Sequence, residues 1–151
     1  MADRISFLAF IRAAGITSTV LPDNSTDIDN ALALSLEIVS DLLSQASTLI
    51  YNQAVYNLGT HNIIVNAQDV TPTVIYQNNL PYFAYWRSVW KINSFTPGVI
   101  QSTSDEGTST TMLVPDFMKG LSMSNLEEIK TPWGRAYMAY AQKFGSMWGI
   151  S

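Results

Sequence analysis

The chain has 151 residues, which is enough for one domain with a real core. Hydrophobic residues make up 47% and charged residues only 13%, against about 25% charged in an ordinary domain. The net charge of −4 argues against a nucleic-acid grip, and the absence of cysteine excludes disulfides, thiol nucleophiles and thiolate metal sites. The low charge further suggests that some surface is covered by other subunits rather than by water, the alternative being a monomer whose surface is made of Ser, Thr, Asn and Gln.

Residues 5–14 read as a first helix, with Phe7, Phe10, Ile11 and Ala14 on one side and Gly15 as its stop. Pro22, Asp23, Asn24 and Ser25 supply turn chemistry, and Thr26 or Asp27 can cap the next helix. From Asp27 to Val65 apolar residues recur in steps of three and four, which places them on one helical face. Ser44, Ser47 and Thr48 compete for the backbone, so the run is expected to break near 45–48 into helices over 27–45 and 48–66. Gly59 inside the second helix costs about 1 kcal/mol against Ala and implies close approach of another element.

Residues 66–81 read as irregular, with Thr71-Pro72, Asn78-Asn79 and Pro81 all disfavouring helix. Helix returns over 82–93, where Tyr82, Trp86 and Trp90 belong to an aromatic stripe suited to a core or a subunit interface. Val99 to Ser104 and Thr108 to Val114 are short and β-prone, and Asp105-Glu106-Gly107 between them has hairpin-tip chemistry. A two-stranded arm over 98–114 is marginal alone, so it folds onto its own helices or pairs with a neighbour. Thr131 and Pro132 open a last helix over 132–144, and residues 145–151 form an apolar tail suited to docking. The expected fold is a mainly α multihelical bundle of four to five helices, in a single domain spanning residues 1–151, with one extended β-hairpin arm and an extended C-terminal tail.

No catalytic, cofactor or metal constellation stands out. His61 is the single histidine, and no oriented acid or nucleophile can be named for it, so a buried histidine bonded to a backbone carbonyl is the expected role. Asp105 and Glu106 have no calcium-ligand spacing around them, and Glu127 and Glu128 suit the first turn of a helix. Neither a signal peptide nor a membrane span is expected.

Two stretches carry a resemblance to a known family. The first is Tyr51 to His61, with Ala54 three residues after Tyr51, then Leu58 and the run Gly59, Thr60, His61. The second is the Gly-plus-Ser/Thr-rich segment from Gly98 to Thr111, followed by Thr131-Pro132-Trp133-Gly134 and a final amphipathic helix. In this order and spacing the chain resembles the small head–tail adaptor proteins of tailed bacteriophages over roughly residues 26–145. Residues 66–81 and the Trp-rich helix have no counterpart in that pattern. The resemblance implies a virion protein of the neck, made in the host cytoplasm, that assembles as a ring, commonly of twelve subunits, between the portal protein and a downstream neck or tail protein. DNA would pass through the lumen without specific binding. Val99, Ile100, Asp105, Glu106, Thr111 and Leu113 would then make intersubunit contacts, and Met147, Trp148 and Ile150 would face the portal. His61 and Gly134 would serve packing. A small helical binding or regulatory module, and an enzyme built around His61, are the readings from other classes.

Overall fold

The computed structural model describes residues 2–69, 75–94, 99–103, 110–113 and 127–144, with the backbone alone for Ser94, 99–103 and 110–113. Helix α1 (Arg4–Ala13) starts where the Asp3 carboxylate accepts from the Ser6 N–H at 2.9 Å. It buries Phe7 and Ile11. Behind it, Gly15 takes a left-handed φ of +94°, which glycine adopts without strain. Arg12 then ties down the following loop. Its guanidinium donates to the carbonyls of Ile16 at 2.5 Å and Leu21 at 2.7 Å and pairs with Asp23.

Helix α2 (Thr26–Ile38) is capped one residue earlier than expected: the Ser25 hydroxyl accepts from the Asp27 N–H at 3.2 Å. The helix expected over 27–45 is two helices. Val39 leaves α2 in an extended conformation to bury its side chain, and Ser40 accepts through its hydroxyl from the Leu42 N–H. That side-chain bond offers the backbone an alternative to helix, and α3 (Leu42–Ala46) restarts beyond it. A second break falls at Ser47, which is extended and caps α4 (Thr48–Asn66) through its side chain.

Helix α4 is the centre of the molecule and contacts α1, α2, α3, α5 and the last helix. Every residue from Ala54 to His61 is buried, so the burial runs round the helix rather than along the one face that the spacing implies. Two of its buried polar residues are satisfied within the helix: Asn57 donates to the Gln53 carbonyl and Thr60 to the Tyr56 carbonyl. At Gly59 the Phe7 ring lies so close that a Cβ would sit 2.7 Å from its Cζ.

Helix α5 (Tyr82–Val89) is shorter than the expected 82–93. Its first N–H groups are satisfied from a distance, with Asp69 accepting from Phe83 at 2.9 Å and from Ala84 at 3.3 Å. The helix stops because Lys91 takes a left-handed φ of +50°, after which Ile92–Ser94 form one 3-10 turn. Helix α6 (Pro132–Lys143) opens with Thr131 as cap and Pro132 in the first turn and buries Gly134, Tyr137, Met138 and Ala141 against the core.

The described fold is thus mainly α-helical. The backbones of Val99–Thr103 and Thr110–Leu113 pair antiparallel, with an irregularity between Ile100 and Ser102. The tip and both flanks of the arm expected over 98–114 lie outside the described residues, and a projecting arm is no part of the described architecture. Among the described residues, no helix is long and apolar enough to cross a membrane.

Candidate interaction surface

Three places bring side chains together in ways that packing alone does not explain. The first is the joint between α4 and α6. His61 lies 2.9 Å through Nδ1 from the Thr131 hydroxyl, and that same hydroxyl accepts from the Gly134 N–H at 3.0 Å. The partner expected for His61 was a backbone carbonyl; the structure supplies the capping hydroxyl of another helix, 70 positions away in sequence. Burial pushes the His61 pKa down to about 4, so the ring is neutral at pH 7. Thr131 is fully buried, so this nitrogen–hydroxyl pair offers no access to a substrate and acts as a joint. Gly134 is held still more tightly, since a Cβ there would fall 1.7 Å from the Glu128 carbonyl oxygen and 2.9 Å from His61 Nδ1. Beside it, burial raises the Glu128 carboxyl to about 7. Lys130 spans the joint, donating to the Ile92 carbonyl at 2.8 Å and to both Glu127 oxygens at 2.7 Å.

The second place is a continuous strip of aromatic rings. Trp133 meets Trp90 edge-on at 5.6 Å, and Trp90 stacks on Trp86 at 4.8 Å. Trp86 touches Tyr85 at 5.1 Å and Tyr82 at 6.4 Å, and Tyr76 reaches both tyrosines at 5.0 and 5.4 Å. Such pairs contribute about 0.5–1.5 kcal/mol each beyond area burial. Tyr76 is exposed, the other five rings are partly exposed, and Val89 beside them is 47% exposed. Rings that are fixed by their neighbours and partly uncovered are what a protein interface uses for its central contacts, since little side-chain entropy is left to lose.

The third place lies behind the strip. A cavity of about 430 Å³ is lined by Leu80, Ala84, Arg87, Ser88, Lys91 and Asn93. Arg87 donates to the Ile64 carbonyl at 2.9 Å and to the Ala67 carbonyl, closing the end of α4. Burial lowers the Arg87 pKa, and Asp69 opposes that shift.

Among the residues singled out in the sequence, His61 and Gly134 meet at the joint, while Tyr82, Trp86 and Trp90 lie in the strip. Val99 faces Leu113 across the strand pair, and Ile100 and Thr111 belong to the same pair. Asp105, Glu106, Met147, Trp148 and Ile150 lie outside the described residues. Sequence reasoning missed Tyr76 and Trp133 as members of the strip, because they come from an irregular segment and from another helix. It also missed Thr131 as the partner of His61. The aromatic content of both segments was the available signal for the strip.

Among the described residues, no group of three or more His, Asp or Glu side chains is placed to hold a metal ion. Compared with protein-family models, with curated proteins and with solved structures, the chain matches none.

Proposed function

We propose that the chain is a non-catalytic assembly protein that works as a homo-oligomer, and specifically a head–tail adaptor of a tailed-phage neck. In this reading it forms a ring, of twelve subunits by the family's habit, between portal and tail. The ring extends the channel through which DNA passes. The partly exposed aromatic strip from Tyr76 to Trp133 is the observation that carries the reading. A monomer has no use for so many fixed and partly uncovered rings, whereas a subunit interface does. The low charge and the order of the two sequence stretches around residues 51–61 and 98–134 support the same reading. Residues 98–114 would add contacts between neighbouring subunits, and residues 147–151 would meet the portal.

The test is the mass of the purified protein by light scattering, with electron microscopy, alone and in lysate of expressing or infected cells. Rings, or migration with a portal-sized assembly, are expected. A monomer in both conditions would overturn the proposal in favour of a small helical binding module. A substitution in the tail, Trp148→Asp, is expected to abolish portal attachment while leaving the isolated fold intact; attachment that survives it would remove the tail as the anchor.

A further inference from the structure

Charge is distributed unevenly along this chain. Between Arg12 and Arg87 there are six carboxylates and no lysine or arginine. The acidic part includes α2 and α3, and the first cations after it, Arg87 and Lys91, line one cavity at the end of α5.

The corner of α2 and α3 is an exposed ridge. Leu34 and Ile38 lie four residues apart on one face of α2 and are 47% and 44% exposed. Leu42, at the start of α3, is 54% exposed. The exposed carboxylates of Glu37 and Asp41 are interleaved with them. The exposed apolar side chains favour burial against a partner, while the Glu37 and Asp41 charges repel a second, identical ridge and so oppose pairing of the ridge with itself.

The α5 surface has the opposite character. Leu80 and Ala84 supply apolar lining, and two cations stand in the same cavity with the neutral side chains of Ser88 and Asn93: Arg87, whose guanidinium is bonded to the Ile64 and Ala67 carbonyls, and the exposed Lys91. The nearby Asp69 has both carboxylate oxygens engaged by the Phe83 and Ala84 N–H groups. Lys91 carries a second signal. It holds a left-handed backbone, φ +50°, at the position after a helix where glycine is favoured. A strained lysine in that place is a reason to look for a use of its ammonium group.

We infer that copies of this chain associate head to tail, with the apolar and acidic α2–α3 ridge of one copy seated on the α5 cavity of the next. The inference rests on the self-assembly reading above and names the two surfaces it uses. Both α2 and α5 pack on α4, so each copy carries one donor surface and one receptor surface on the same rigid centre. Two different surfaces meeting in this way give a heterologous contact, the kind that closes into rings, whereas a two-fold contact stops at a dimer. Opposite charge at the contact sets its orientation and makes its strength fall with added salt.

The experiment uses the full chain and two variants, both checked by circular dichroism and thermal melting. Glu37→Lys/Ile38→Lys alters the ridge at two exposed positions, and the neutral Lys91→Gln alters the cavity without creating a charge that the altered ridge would attract. Each alone is expected to raise the concentration needed for assembly at least about tenfold in sedimentation velocity. Mixed in equal amounts, they are expected to form heterodimers that grow no further, because one intact ridge and one intact cavity remain between them. Lys91→Gly removes the charge and the left-handed strain together. It is expected to melt at or above the wild-type temperature and still lose assembly, which a merely structural lysine would not do.

Assembly by either altered variant at the wild-type concentration, or a mixture that stays monomeric, would overturn the head-to-tail contact and leave self-assembly standing. A wild-type chain that is monomeric at every concentration would overturn both. If 10 mM inorganic phosphate (about the scale at which weak anion sites fill) raised the melting temperature only when Lys91 is present, while the variants assembled normally, the cavity would be a small-anion site and the docking inference would fall.

Discussion

Gly134→Ala is the substitution with the largest effect that the geometry predicts. The added Cβ would lie 1.7 Å from the Glu128 carbonyl oxygen and 2.7 Å from its carbon, and these are backbone atoms that no rotamer change can move aside. The start of α6 would have to shift against α4. Overpacking of this kind costs about 3 kcal/mol. The shift also weakens the cap from Thr131 to the Gly134 N–H, about 1 kcal/mol. The buried contact between His61 and Thr131 is worth about 1 kcal/mol more. Alanine returns about 1 kcal/mol of helix propensity, leaving a loss of about 4 kcal/mol. Urea unfolding followed by circular dichroism and tryptophan fluorescence measures it as a lower midpoint at unchanged slope. A loss below about 1 kcal/mol would refute the claim that Gly134 is fixed by contact with Glu128. Gly59→Ala is the control. There the obstacle is the edge of the Phe7 ring, a side chain that can tilt, so the loss is about 1–2 kcal/mol.

Other outcomes follow from the same contacts. The His61 pKa lies below its unfolded value, so its contribution is present above pH 6.5 and is lost as pH falls towards 4, by about 3 kcal/mol in full. The Glu128 pKa is raised from 4.5 to about 7, so its contribution is present below pH 4.5 and is lost as pH rises to 7. The two slopes oppose each other between pH 4.5 and 6.5, and Glu128→Gln removes one of them. The variant's stability relative to wild type is therefore expected to increase from pH 4.5 to 7 in a series of urea titrations; a pH-independent difference would contradict the buried carboxyl. Arg12→Ala leaves the Ile16 and Leu21 carbonyls without their charged donor and is expected to cost about 2 kcal/mol in the same assay. Gly15→Ala meets nothing within 4 Å, so only the left-handed backbone is penalised, by about 1 kcal/mol in thermal unfolding.

The periodic helices were legible in the sequence because their local signals agree. Thr131 caps the last helix as its place before Pro132 implies, and the break expected near 45–48 falls at Ser47, which caps α4. The break at Val39 was not legible. Its cause is tertiary, the burial of one side chain, and Val39 fits the helical spacing as well as its neighbours do. The early end of α5 was hidden for a similar reason, since lysine carries no stop signal and its left-handed conformation is imposed by context. The all-round burial of α4 escaped a reading by faces because its buried Asn57, Thr60 and His61 bond within the helix or to α6. At the candidate surface, Tyr82, Trp86 and Trp90 could be grouped by helical spacing. Tyr76 and Trp133 could not, because they reach the strip through space.

Self-assembly is the central claim, and the mass of the purified chain in solution tests it most directly. Multi-angle light scattering over a wide concentration range, on protein alone and on protein recovered from lysate, is expected to give a closed species many times the 16.7 kDa subunit, about 200 kDa for a ring of twelve. A mass of 16.7 kDa at every concentration and in both preparations would contradict it.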